Sequence, residues 1–411
     1  MKWSVSLTTQ ESLYYSFFKF SSIFYDFFTK YLFSVINILI SKDSCSKMER
    51  IHYIDFAKGI GIILVILGHI SYISDSTRIF VVSFHMPLFF ILSGILIYLR
   101  KETDRPLKDI AKNKFRRMMI PYFLYSTVGI LIYIIYYLLT GRDGGFPTVL
   151  SDIVQTLTLY GYSVMWFLPA IFSAELLLIA IIRKFRTLPK ILAIVVILTA
   201  ASMILNKYLE SANTLYGFNT VFSVFHLLAV AILRVPVCMS FAAIGFFIAA
   251  QWSRFQNIGP DKFPPLAIPA DIFIGIDLIA LDLIFSHING ITDLHFMIFN
   301  NVFFYYIAAL SGSFGVIFLC KALEKLHNAP PLRLLSYFGV NSLIIMVTHL
   351  NFYVLLAAEI GGMHFTKALE EGALKHTVFI ILVMVFTLMG EIVLIEVIER
   401  VKKLHRKKVS S

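Results

Sequence analysis

Long apolar runs dominate this chain, at 56–74, 79–99, 118–139, 164–182, 190–205, 222–250, 266–285, 297–319, 339–357 and 376–398. Most reach the roughly 20 residues that a helix needs to cross a hydrocarbon core of about 30 Å. Backbone polar groups in lipid are satisfied only inside helices or closed barrels, and unbroken runs of this length are helical rather than alternating strands. With 58 % hydrophobic and only 15 % charged residues, and a mean hydropathy of +0.79, ordinary soluble domains are excluded. The expectation is an all-α, polytopic transmembrane helical bundle of about ten spans. The stretch 219–250 is the least regular, because Arg234 and Pro236 interrupt it. One long kinked helix, two half-helices and a re-entrant piece all fit that pattern.

The net charge of +11 is not spread as in a nucleic-acid binder, because its cations collect in alternate loops. Arg100, Lys101, Arg105, Lys108, Lys112, Lys114, Arg116 and Arg117 lie between the second and third runs; further basic clusters follow the fourth run and form the tail. Cytoplasmic loops are the basic ones, so both termini are expected to be cytoplasmic and no nucleic acid is expected as a partner. Lys367 and Lys375, after the ninth run, weaken the alternation. Residues 1–47 are rich in Phe and Tyr yet carry Lys19, Asp26 and Lys30. An interfacial segment is favoured for them over an additional weak span or sequence upstream of a start at Met48. Residues 48–400 then form the membrane domain and 401–411 a basic cytoplasmic tail. Cys45, Cys238 and Cys320 form no CxxC, so neither a disulfide framework nor a metal site is expected.

Within the first run, residues 55–69 read DFAKGIGIILVILGH. Ionisable side chains at membrane depth cost roughly 2.5–3.5 kcal/mol each on insertion scales and usually face a bundle interior or a wet cavity. Lys58 and His69 share one helix face, separated by roughly 16 Å along the axis. Lys58 falls near the cytoplasmic end and His69 near the outer end. A near-neutral imidazole suits general-base work on a hydroxyl, although a buried histidine bonded to a carbonyl is the plain alternative. For Lys58 the plain alternative is a snorkelling anchor. No Walker loop, GxGxxG, HExxH or Gly-x-Ser-x-Gly occurs, which leaves phosphoryl transfer and zinc hydrolysis without support.

Four blocks in order, DFAKGIGIILVILGH at 55–69, FHMPLFFILSG at 84–94, KFRRMMIPY at 114–122 and MWFLPAIF at 165–172, resemble the membrane acyltransferase 3 family. The subgroup they most resemble holds the fucose 4-O-acetylase-like and Nod-factor-type sugar O-acetyltransferases. The resemblance covers roughly residues 50–400. It implies an O-acetyltransferase that moves an acyl group, usually acetyl from acetyl-CoA, to a hydroxyl of a glycan or lipid-linked sugar of the cell envelope, with no bound cofactor. The family's basic-residue, ten residues, His pattern falls here on Lys58 and His69, and its basic pattern before the third span on Lys114 and Arg117. The family's best-known members often carry a Gly-Val-Asp-Ile-Phe-Phe variant in the second block; His85, Met86 and Pro87 stand in that block here, which favours the sugar-acetylase subgroup and leaves the acceptor open.

On this reading His69 is the catalytic base, and Lys58, Lys114, Arg116 and Arg117 serve the CoA side, where phosphates meet ammonium and guanidinium donors. The basic cluster is equally what topology alone would place there. His85, Trp166, Glu175 and His349 are candidates for the acceptor site, with Trp166 also suiting an interfacial aromatic belt; Asp277 and Glu391 are further acids inside apolar runs. The expected partners are acyl-CoA, the sugar acceptor and membrane lipid, in a bacterial-type cytoplasmic membrane. The rival is a transporter or flippase for a glycan or small anion, since buried charges also mark transport pathways. Inverted repeats would favour it, and none is visible.

Overall fold

The computed structural model describes residues 50–141, 144–216, 220–255, 264–370 and 372–410. The segment expected to lie at the interface, 1–47, falls outside the described residues, as do the side chains of the tail from 401 onward. Helices account for the described chain apart from its connections; a single isolated bridge, Asp293 to Ile298, is the nearest approach to a strand among these residues.

The helices are α1 His52–His69, α2 Asp75–Leu99, α3 Leu107–Thr140, α4 Gly145–Leu157, α5 Phe167–Phe185, α6 Leu188–Tyr216, α7 Thr220–Phe255, α8 Pro264–Asn289, α9 Val302–Ala322, α10 Pro330–Val340, α11 Ser342–Thr348, α12 Val354–Thr366 and α13 Ala373–Ser410. Among the described residues eight helices are long and apolar enough to cross a membrane, or nine if the pair α10 and α11, bent by 64°, is one broken span. The expectation of about ten differs at α8, which is not among those eight and carries Asp271, Asp277 and Asp282. The ninth apolar run is where the break falls: α10 ends at Val340, Asn341 takes a non-helical conformation, and α11 restarts at Ser342.

Local chemistry sets several ends. The Ser74 hydroxyl caps α2 by accepting from the Thr77 amide at 3.2 Å. Asn301 caps α9 by accepting from the amides of Phe303 and Phe304. Gly141, in the left-handed region at φ 62°, stops α3. The 219–250 ambiguity resolves as one continuous helix from Thr220, α7, despite Pro236. A proline removes an amide and frees carbonyls in the turn before it. Here the Ser202 hydroxyl of α6 donates to the Leu233 carbonyl in that turn, and Thr199 of the same helix donates to the carbonyl of Pro236 itself.

α2 is central, packed on α1, α7 and α9. Its crossing with α7 is tight because Gly94 and Gly245 face each other's backbones: a Cβ on either would overlap the carbonyl of Ala242 or Ile91. α1 lies in a comparable cleft against α10, where Gly339 meets the Asp55 carbonyl. α1 is thereby clamped along its length, with Lys58 and His69 held at fixed heights.

Candidate active site

Two cavities open at opposite ends of α1. The larger, about 1000 Å³, holds Lys58 and sits at the basic end of the bundle. The smaller, about 380 Å³, holds His69. The bent α10–α11 pair and the turn after it run beside both: Met346 of α11 lines the first, while Leu350 and Asn351, just past its end, line the second.

In the larger cavity, Lys58, Arg100, Lys101, Arg105, Lys114 and Arg117 supply the cations. Asp55 lies on the same wall, held by Arg50 at 2.6 Å. A π turn at Phe115–Met119 interrupts α3 just beyond Lys114 and carries Arg117 and Met118 on the cavity wall. Arg116 is exposed and does not line the cavity, which separates it from the donor-side group expected from the sequence. Lys114 is buried, and its Nζ lies 2.7 Å from carboxylate oxygens of both Glu102 and Glu175. Its ammonium is therefore already engaged by two acids. Glu175 belongs with Lys114 at this end, not with His69, and so departs from the acceptor-site grouping expected for it.

At the other end His69 is the last residue of α1, with its ring exposed to the smaller cavity. Its neighbour is His349, whose ring centroid lies 5.4 Å away and tilted by 45°. A carbonyl only accepts, so the 2.8 Å contact with Ile345 O assigns the proton of His349 to Nδ1. Its Nε2 is left as a buried acceptor without a partner among the described residues. His85 is buried and likewise donates from Nδ1, to Val81 O at 2.8 Å; it lies within electrostatic reach of His69 but does not line the cavity. Glu391 is buried beside this group and accepts from Thr348 at 2.7 Å, whereas Asp277 is exposed on α8.

Trp166 lines neither cavity, which removes it from both sequence expectations, a sugar platform at the His69 site and an aromatic-belt residue. It is buried at 7 % exposure, with Arg234 at 5.0 Å over its ring and His295 stacked on it at 5.4 Å. Arg234, 1 % exposed, also lies 5.2 Å over Tyr160 and donates to the Tyr160 carbonyl at 3.2 Å. Burial first, and Arg234 second, push His295 down to about 2, so its stacked ring is neutral. This buried cluster anchors one side of the 160–166 loop, while Tyr162 and Ser163 of the same loop form wall of the His69 cavity.

Two acids of that wall had no sequence signal: Asp152 on α4 and Glu359 on α12. Glu359 accepts from the amide and hydroxyl of Ser71 at 2.8 and 3.1 Å. Burial pushes the Asp152 carboxyl up to about 6. Sequence separations of tens to hundreds of residues hide both from any motif.

A family model described as an acyltransferase domain, that of the acyltransferase 3 family, matches residues 51–396. The chain belongs to the acyltransferase 3 family, and together with its apolar helices this makes it an integral membrane acyltransferase. No curated protein and no solved structure matches the chain.

Proposed function

We propose that this protein is a membrane O-acetyltransferase that moves an acetyl group from cytoplasmic acetyl-CoA to a hydroxyl of a cell-surface or lipid-linked carbohydrate, in a bacterial-type cytoplasmic membrane. The observation that carries the reading is the division of one helix face between two cavities, cations around Lys58 at one end and an exposed imidazole, His69, at the other. The basic end faces the cytoplasm by the positive-inside rule. There Lys58 and Arg117 meet the phosphates of CoA, while Lys114, held by Glu102 and Glu175, shapes the wall. The extended pantetheine arm follows α1 toward His69 and delivers the thioester to the second cavity.

His69 takes the proton from the acceptor hydroxyl as its oxygen attacks the thioester carbonyl. The tetrahedral intermediate collapses with cleavage of the carbon–sulfur bond, and the imidazolium returns the proton to the departing CoA thiolate. Charge and atoms balance without a further reactant. His349, fully buried and part of neither cavity wall, packs against the His69 ring at a centroid distance of 5.4 Å and so acts on the site through His69.

The test is product analysis. O-acetyl content of surface glycans is compared in cells with the wild-type protein, with His69→Ala at equal membrane level, and without the protein. Acetylation present with wild type and lost with His69→Ala supports the assignment; equal acetylation in those two refutes it.

A further inference from the structure

The two cavities differ in the sign of their walls as well as in size, and the difference bears on the acceptor. This step rests on the acyl-transfer reading above. Among the described residues, the His69 cavity is lined by two carboxylates, Asp152 and Glu359, and by no lysine or arginine. Beside His69, the rest of its polar wall is hydroxyl and amide: Ser71, Tyr133, Tyr162, Ser163, Asn351 and Tyr353. Arg78 is the nearest cation within electrostatic reach of His69, but it donates to the Ile70 carbonyl at 3.1 Å and does not form wall.

The geometry points to an acceptor whose reacting sugar carries no negative charge, with Asp152 and Glu359 as the residues that reject uronates and phosphorylated sugars. A neutral sugar offers hydroxyl donors that the carboxylates accept, and charge-assisted bonds of that kind are stronger than neutral ones. Glu359 is held for this task, because the Ser71 amide and hydroxyl fix its orientation while leaving lone pairs for a ligand. The Tyr133 hydroxyl, buried and without a partner among the described residues, adds a donor and acceptor toward the same space. An anionic sugar in this cavity would set like charges side by side with no cation on the wall to offset them. Discrimination by such built-in repulsion is a recurring device of specific sites.

The experiment uses the full chain in lipid nanodiscs with three probes: methyl glucoside, methyl glucuronide and methyl glucosaminide. Binding is read by saturation-transfer NMR, and acetyl transfer from acetyl-CoA is followed by mass spectrometry. The wild type is expected to favour glucoside over glucuronide by on the order of tenfold or more, and to accept the cationic glucosaminide at least as well as the glucoside. The double substitution Asp152→Asn with Glu359→Gln should shrink that glucoside-to-glucuronide ratio by about tenfold, whatever it does to absolute rates. Equal or tighter binding of the glucuronide by the wild type, a ratio unmoved by the double substitution, or no binding of the glucoside overturns the inference. Transfer that survives His69→Ala with every probe is a different failure, that of the acyl-transfer reading itself.

Discussion

Replacing Lys114 by methionine separates a structural role for this cation from a donor-binding one. Its ammonium sits 2.7 Å from Glu102 and 2.7 Å from Glu175, and the three side chains are only 10 %, 14 % and 5 % exposed. At an effective dielectric of about 20, each contact at this distance is worth about 6 kcal/mol of Coulomb attraction before desolvation is subtracted. Desolvation takes back most of that, so the intact triad adds little net stability. Deleting the cation alone strands two buried carboxylates and costs about 3–5 kcal/mol. Lys114→Met is therefore expected to lower the thermal unfolding midpoint in nanodiscs markedly. The triple variant Lys114→Met, Glu102→Gln, Glu175→Gln should recover most of the loss, because removing all the charges leaves none uncompensated. Acetyl-CoA binding is measured on the same samples and should survive in the triple variant. A single variant as stable as wild type would refute the electrostatic argument. A triple variant that is stable but no longer binds acetyl-CoA would show that the ammonium serves the donor.

His69→Ala is expected to lower the acetyl-transfer rate by about 10²–10⁴-fold at unchanged folding, as loss of a general base does, read by single-turnover transfer. The preference for neutral over anionic acceptors should be pH-dependent. With Asp152 half-protonated near pH 6, raising the pH from 5 to 7 puts negative charge on the wall and increases the preference, whereas Asp152→Asn gives a flat ratio. Arg234→Met should loosen the 160–166 loop, seen as faster amide exchange there and lower transfer; Arg234→Lys should not restore it, because an ammonium lacks the planar face that stacks on Trp166 and Tyr160. Gly94→Val should reduce the folded yield in detergent by forcing α2 away from the Ala242 carbonyl, while Gly141→Ala, with nothing near its Cβ, should cost only the strain of its positive φ.

The helices were legible because lipid imposes one rule on every span, and a run of apolar residues states compliance with it directly. The face shared by Lys58 and His69 was legible for the same reason, since helical periodicity alone places the two residues. What stayed hidden is what depends on contacts across the bundle. Lys114 and Glu175 are 61 residues apart, and nothing near either one says that they pair. Trp166 looked interfacial because its position along a span was readable and its burial under Arg234 was not. Pro236 suggested a break that α6 hydroxyls made unnecessary, while the real break at Asn341 had neither proline nor glycine at the hinge itself to announce it. Asp152 on α4 and Glu359 on α12 lie far apart in the chain, and only the folded cavity gathers them beside His69.

The buried Arg234 also bears on how the chain is made. A fully buried guanidinium is a heavy burden for a span entering the bilayer alone. The two aromatic faces that it lies over, Tyr160 and Trp166, precede α7 in the chain and so leave the ribosome first, whereas His295, stacked on Trp166, follows later. The order of synthesis thus provides a partly built receptacle before the charge arrives. Moving the same residues to the other side of α7 in a circular permutant would keep the final contacts and remove that head start.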